Sequence, residues 1–202
     1  MTNKTEFTAK DVQDLRQRTG AGMMDAKKAL TEMNGDMDKA ADHLRAKGIV
    51  KAEKRAGRTA SEGSIGHYIH HNAKVGVMVE VNCETDFVAR TDEFKQLVKD
   101  VAMHIASAAP LAVDKDGVSA ELVAHERLVF EQQVRESGKP ENLVAKIVDG
   151  KVKSFYEEVV LLMQPWIRDK DKTIGDLVKE ASAKLGENVV VKRFVRYQMG
   201  QE

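Results

Sequence analysis

Three histidines crowd into five positions, His67, His70 and His71, and a cluster of imidazoles first suggests a metal. On a strand, His67 and His71 would share a face while His70 points the other way. Neither a cysteine nor a carboxylate completes a ligand set beside them, so they read as surface histidines of a hairpin. Cys83, the single cysteine, precedes Glu84-Thr85-Asp86. A nucleophilic cysteine needs a base to make its thiolate, and the spacing places no histidine beside it. Cys83 instead continues a valine alternation and reads as a small buried hydrophobe. Neither a Gly-x-Gly-x-x-Gly nor a P-loop is present. These residues predict a binding protein rather than an enzyme, with no cofactor and no metal of its own.

The segment Glu84-Thr85-Asp86-Phe87-Val88-Ala89-Arg90 is more unusual. It packs two acids, a hydroxyl and a large aromatic into one short connection. Two readings are open at this level: Phe87 tucks under a following helix, or it stands out as an adhesive group.

The elements around it decide where it stands. Val75, Val77, Val79, Val81 and Cys83 alternate with Gly76, Met78, Glu80 and Asn82, the period of a half-buried strand. Ser64–His71 alternates loosely, and His71-Asn72-Ala73-Lys74 joins the two as a hairpin. A third strand is expected over Asn188–Gln198. After Arg90, Thr91 can cap a helix carrying Phe94, Leu97, Val98, Val101 and Ile105 on one face. Ser119 opens another helix that reaches Gly138, Pro140 starts a further one, and Asp149-Gly150 is expected to break it before the stripe Val152, Phe155, Tyr156, Val159. Residues 119–160 thus predict a protruding helical hairpin. Thr173 caps a last helix that Gly186 ends.

The first fifty residues read as three short helices. Thr8 with Asp11 forms a short capping box, and Gly20-Ala21-Gly22 closes the first helix. Ala26, Ala29, Leu30 and Met33 line the second, which Asn34-Gly35 stops. Asp36 caps the third, with Met37, Ala40, Ala41 and Leu44, and Gly48 is expected to end it. Together they predict a bundle of the ubiquitin-associated type. The fold expected is α+β: a three-helix module over residues 1–50, a basic linker over 51–62, and a core over 63–202 with a three-stranded antiparallel sheet, packed helices and the hairpin.

The chain has 202 residues, 42% hydrophobic and 32% charged, with Lys+Arg equal to Asp+Glu and a formal net charge of zero. A dedicated nucleic-acid binder draws its affinity from a basic excess, so no direct nucleic-acid partner is expected. Arg45, Lys47, Lys51, Lys54, Arg55 and Arg58 against Glu53 still leave two readings: a basic arm for RNA or an acidic partner, or a solvated helix end and linker. The lone thiol suits a reducing compartment, and no signal peptide or membrane span is legible. A cytoplasmic protein without membrane contact is expected.

Two longer stretches are recognisable. Leu15-Arg16-Gln17-Arg18-Thr19-Gly20-Ala21-Gly22-Met23-Met24-Asp25-Ala26-Lys27-Lys28-Ala29-Leu30 and Asn82-Cys83-Glu84-Thr85-Asp86-Phe87-Val88-Ala89-Arg90 resemble the two signatures of the elongation factor Ts family. The resemblance continues through Ala102–Ile105, Ser137–Pro140 and Gln164-Pro165 and spans essentially the whole chain. It implies a guanine-nucleotide exchange factor that binds elongation factor Tu in its GDP-bound and nucleotide-free forms. It also implies that Arg16, Met23, Met24 and His104 touch that partner. Thr85, Asp86, Phe87 and Val88 would form the element that disturbs the partner's magnesium site, with Phe87 as a wedge. Longer members carry two related halves in the core and this chain carries one, which implies a homodimer joined through the core.

Overall fold

The computed structural model describes residues 7–201. Its α+β fold is built from helices α1 (Ala9–Thr19), α2 (Met23–Glu32), α3 (Met37–Glu53), α4 (Asp86–Ala89), α5 (Asp92–Ala108), α6 (Ala120–Glu136), α7 (Glu141–Val159) and α8 (Ile174–Leu185). The strands are β1 (Glu62–Ile69), β2 (Val75–Cys83), β3 (Pro165–Trp166), β4 (Asp169–Thr173) and β5 (Val190–Gln198). One antiparallel sheet has the order β1-β2-β5, and β3 pairs with β4 in a separate ribbon. The chain resolves into two compact units that cut across sequence order. The first holds residues up to Gly63 with Asn82–Phe94 and Val178–Val190; the second holds Ser64–Val81, Lys95–Leu177 and Val191 onward.

In the first unit, α1 starts as its sequence dictates. Thr8 Oγ1 accepts from the Asp11 N–H at 3.2 Å, and the Asp11 carboxylate accepts from the Thr8 N–H at 2.7 Å, so two N–H groups that a helix start leaves without partners are satisfied reciprocally. Gly20 closes α1 at φ 69°, sending its N–H to the Arg16 carbonyl at 2.8 Å. Asn34 and Gly35, both at positive φ, end α2, and the Asp36 carboxylate caps α3 through the N–H groups of Asp38 and Lys39. The stripes of the three helices bury Leu15 and Leu30 completely, with Val12, Ala26, Ala29 and Ala40 around them. Truncating either leucine to alanine costs about 2–5 kcal/mol at such sites.

Gly48 does not end α3, contrary to the expectation from sequence; the helix continues to Glu53. A glycine inside a helix costs only about 1 kcal/mol, and here its missing side chain has a use. A Cβ on Gly48 would lie 3.0 Å from the Ala183 Cβ on α8, so the glycine lets two helices of this unit approach closely. Arg45 pairs with Glu180 at 2.5 Å, and the Arg55 guanidinium donates to the Ser182 carbonyl at 3.5 Å. Lys47 pairs with Glu32 at 3.1 Å and Arg58 with Glu84 at 3.5 Å. Four of the six cations of the basic run thus have partners within this chain. The side chains of Lys51 and Glu53 lie outside the described residues.

In the second unit, Val77, Val79 and Val81 of β2 are buried while Met78 on the opposite face is exposed, which is the expected alternation. Gly66 of β1 sits under α5: a Cβ there would meet the Val98 Cγ1 at 2.1 Å. The turn after β1 is closed by the His70 N–H on the Val75 carbonyl at 2.9 Å, so β1 ends before His70 and His71. His70 Nδ1 lies 3.1 Å from the Tyr68 hydroxyl.

The hairpin of α6 and α7 has two apolar clusters. Val134, Val144 and Val148 are buried near its loop; Ala112, Val118 and Val160 are buried near its base, with Phe155, Tyr156 and Val159 packed on them. Asp149-Gly150 does not break α7. The stripe Val144, Val148, Val152, Phe155, Val159 keeps one helical face through the glycine, and Asp149 pairs with Arg127 of α6 at 2.5 Å. The β3–β4 ribbon has no counterpart in the expectation from sequence; its two paired positions carry no legible alternation.

Candidate partner-binding surface

Both recognisable stretches lie in the first unit. The α1–α2 turn presents Arg16, which is exposed, and Met23 and Met24, 48% and 77% exposed. Gly20 at positive φ and the Thr19 hydroxyl, which donates to the Leu15 carbonyl at 2.7 Å and accepts from the Ala21 N–H at 3.3 Å, fix this turn. Two flexible thioethers on a rigid turn make an adaptable apolar contact.

β2 ends at Cys83, fully buried as expected. Its thiol donates to the Thr85 carbonyl at 3.2 Å. Burial pushes the thiol above its ordinary pKa and the Glu187 carboxylate adds to the shift, so the protonated form is favoured and a nucleophilic role is disfavoured.

The chain then turns into α4. Thr85 is extended at φ −130° and caps α4, its hydroxyl accepting from the Val88 N–H at 3.4 Å. Asp86 opens the helix and pairs with Arg90 at 2.7 Å. Phe87 points outward, 79% exposed, and Val88 is half-buried. Of the two readings left open by the sequence, the structure has the exposed one. An aromatic ring so far in water is an unsatisfied apolar surface with a fixed base.

The base is fixed by residues that sequence reasoning missed. The Glu187 carboxylate accepts from the Glu84 N–H at 3.0 Å, the Thr85 N–H at 3.0 Å and the Thr85 hydroxyl at 2.6 Å. Glu84 answers by accepting from the Asn188 N–H at 2.7 Å, and Asn188 Nδ2 donates to the Arg58 carbonyl at 2.8 Å. Glu187 lies 103 positions from Glu84 and 102 from Thr85 in the chain, and no local pattern in the sequence marks the pairing.

His104 lies on α5. It is 0% exposed in the second unit, its Nε2 3.0 Å from Gln164 Oε1. Burial holds the imidazole below its ordinary pKa, partly offset by the Gln164 hydrogen bond. Position 104 falls on the apolar face of α5, between Val101 and Ile105, and turns inward within this chain. Among the described residues, no group of three or more His, Cys, Asp or Glu is placed to hold a metal ion, and no helix is long and apolar enough to cross a membrane.

Comparison with known proteins decides what the two surfaces belong to. The family model described as "Elongation factor TS" matches residues 5–201. The chain belongs to the elongation factor Ts family. It is 56% identical over 194 residues to "Elongation factor Ts" of Oleidesulfovibrio alaskensis, covering 96% of this chain and 98% of that one. The corresponding protein of Nitratidesulfovibrio vulgaris is 55% identical over 196 residues, 97% and 98% of the two chains. That of Geobacter metallireducens is 53% identical over 195 residues, 96% and 90%. As a member of the elongation factor Ts family, the chain is a translation elongation factor with a nucleotide exchange role toward elongation factor Tu.

Proposed function

We propose that the chain drives GDP out of elongation factor Tu by seating Phe87 against the partner, so that the Thr85–Val88 element disturbs the bound magnesium. The observation that carries this reading is the exposed Phe87 ring on a hydrogen-bonded base. A GTPase holds GDP through its phosphates, a P-loop lysine and Mg²⁺. Displacing the ion removes charge compensation from the phosphates, and GDP leaves faster. Accelerating release ~10⁴-fold needs ~5.5 kcal/mol off the barrier, which must come from contacts made better when the nucleotide is loosened. By linkage, GDP or GTP then weakens factor binding by the same factor, so returning nucleotide expels the factor.

In this reading residues 1–50 are an arm that holds the nucleotide-binding domain of the partner through Arg16, Met23 and Met24, and residues 63–202 are the exchange and dimerisation core. No bond is broken, so the protein is not an enzyme and uses no cofactor of its own. It acts in the cytoplasm, where translation supplies its partner.

The chain also works as a homodimer. Supporting this, the β1-β2-β5 sheet exposes Ile65, Ile69, Met78, Val195 and Tyr197, large apolar side chains of the kind a second copy covers through a two-fold axis.

The test is release of fluorescent GDP from purified elongation factor Tu, chased with excess unlabelled GDP. The reading expects release to accelerate with added protein and the acceleration to shrink as free Mg²⁺ is removed, because the chelator then does the same work. No acceleration of a folded, cognate partner would end it.

A further inference from the structure

We propose that Glu187 is a positioning residue for the exchange element, a latch that holds Phe87 in its presented orientation. The inference rests on the function proposed above and names a residue that neither recognisable stretch contains.

Its basis is a chain of constraints within one compact unit. Gly186, at φ 78°, ends α8 and returns its N–H to the Ser182 carbonyl at 3.0 Å. The buried Ser182 hydroxyl donates to the Glu187 carbonyl, so the backbone of Glu187 is itself held. Its carboxylate then takes three donors from two consecutive residues, the Glu84 and Thr85 N–H groups and the Thr85 hydroxyl. Hydrogen bonds to a charged carboxylate are roughly twice as strong as neutral ones, and three of them on one dipeptide leave it little freedom.

The Thr85 hydroxyl is the joint. It donates to Glu187 and at the same time accepts from the Val88 N–H, since one hydroxyl oxygen carries both a donor and acceptor lone pairs. Through it, the orientation of the Glu187 carboxylate is passed to the first turn of α4, where Phe87 stands. A four-residue helix has no intrinsic stability, so α4 depends on such external ties. The Arg90–Asp86 pair is exposed and contributes little. Without the latch, Phe87 would sample many orientations and the partner would have to select one, lowering the gain from seating it.

A positioning role differs from a general structural one in its dependence on Phe87. Removing the latch should matter while the ring is present and cease to matter once the ring is gone. The experiment is a double-mutant cycle on maximal GDP release from elongation factor Tu at saturating factor, using Glu187→Gln, Glu187→Ala and Phe87→Ala singly and combined. We expect Glu187→Ala to slow maximal release about tenfold, and Glu187→Gln less, because its amide oxygen still accepts the N–H groups. In the Phe87→Ala background the same changes should cost less than about twofold.

In parallel, amide hydrogen exchange of the free factor should speed up at Val88 to Arg90 in Glu187→Gln and stay unchanged in α1 and α2. This second measurement needs no partner and uses the isosteric variant, so it stands even if the alanine variant misfolds. Equal slowing by Glu187→Ala with and without Phe87 would overturn the proposal, since the effect would not pass through the ring. Unchanged release or unchanged exchange at Val88 to Arg90 in Glu187→Gln and Glu187→Ala alike would overturn it too. Wild-type factor that fails to accelerate release would instead refute the exchange mechanism proposed for the chain, and the wild-type control shows which of the two has failed.

Discussion

His104 and Gln164 meet inside the second unit at 3.0 Å, sixty residues apart in sequence. Gln164 also donates from Nε2 to the Glu158 carbonyl at 2.6 Å and the Ala108 carbonyl at 3.4 Å. One side chain thus ties together α5, the end of α7 and the segment that leads into β3. It also accounts for a glutamine directly before Pro165: the amide is fully used where the chain leaves the hairpin. Gln164→Ala would leave a buried imidazole without a partner and free carbonyls beside it, at a cost of about 1–3 kcal/mol, measurable as a lower midpoint in urea with an unchanged m-value.

The same pair sets a pH dependence. Burial holds the His104 pKa below the ordinary value of 6.5. Between these two values the unfolded chain binds a proton that the folded chain does not, so stability falls as pH drops from 6.5 through the lowered folded pKa. Above 6.5 neither state is protonated and this dependence vanishes. His104→Gln should flatten the stability profile just below pH 6.5; an unchanged slope there would assign it to another group.

Met24 separates holding from acting. If the α1–α2 turn holds the partner while the Thr85–Val88 element does the loosening, Met24→Ala should raise the factor concentration needed for half-maximal release by about tenfold, the worth of most of a methionine's burial. The maximal release rate should stay the same. A lowered maximum with unchanged half-saturation would place Met24 in the exchange step instead.

The exposed sheet face makes a claim about assembly. Tyr197 is 71% exposed in the single chain, and in the proposed dimer a charge at that position would oppose burial of the sheet face by a second copy. Tyr197→Asp should convert a dimeric mass in light scattering at micromolar concentration to a monomeric one without altering the circular dichroism. A wild-type mass already monomeric would remove the dimer from the account.

Much of this fold is legible in the sequence because its signals are local. Thr8 with Asp11, Asp36 and Thr173 each cap the helix they precede, and the valines of β2 give its inner face directly. Gly48 and Gly150 misled for a shared reason. A glycine weakens a helix by about 1 kcal/mol, and burial of a continuous stripe outweighs it. At Gly48 the deciding neighbour, Ala183, lies 135 positions away. The exposed Phe87 could be named in advance only as one of two readings, since outward orientation depends on what fills the space beneath. His104 is placed by helical phase, which puts it with Val101 and Ile105 on the inner face of α5. The Glu187 latch was invisible because a carboxylate that closes on a distant corner has no periodicity to betray it.

The central claim is that the Phe87 ring itself loosens the nucleotide. The direct measurement is the maximal rate of fluorescent GDP release from elongation factor Tu at saturating factor, wild type against Phe87→Ala. Seating an exposed phenylalanine yields about 1.5–3 kcal/mol, so the variant should release GDP about 10- to 100-fold more slowly at saturation. A maximal rate equal to wild type, with the variant folded and bound, would contradict the account.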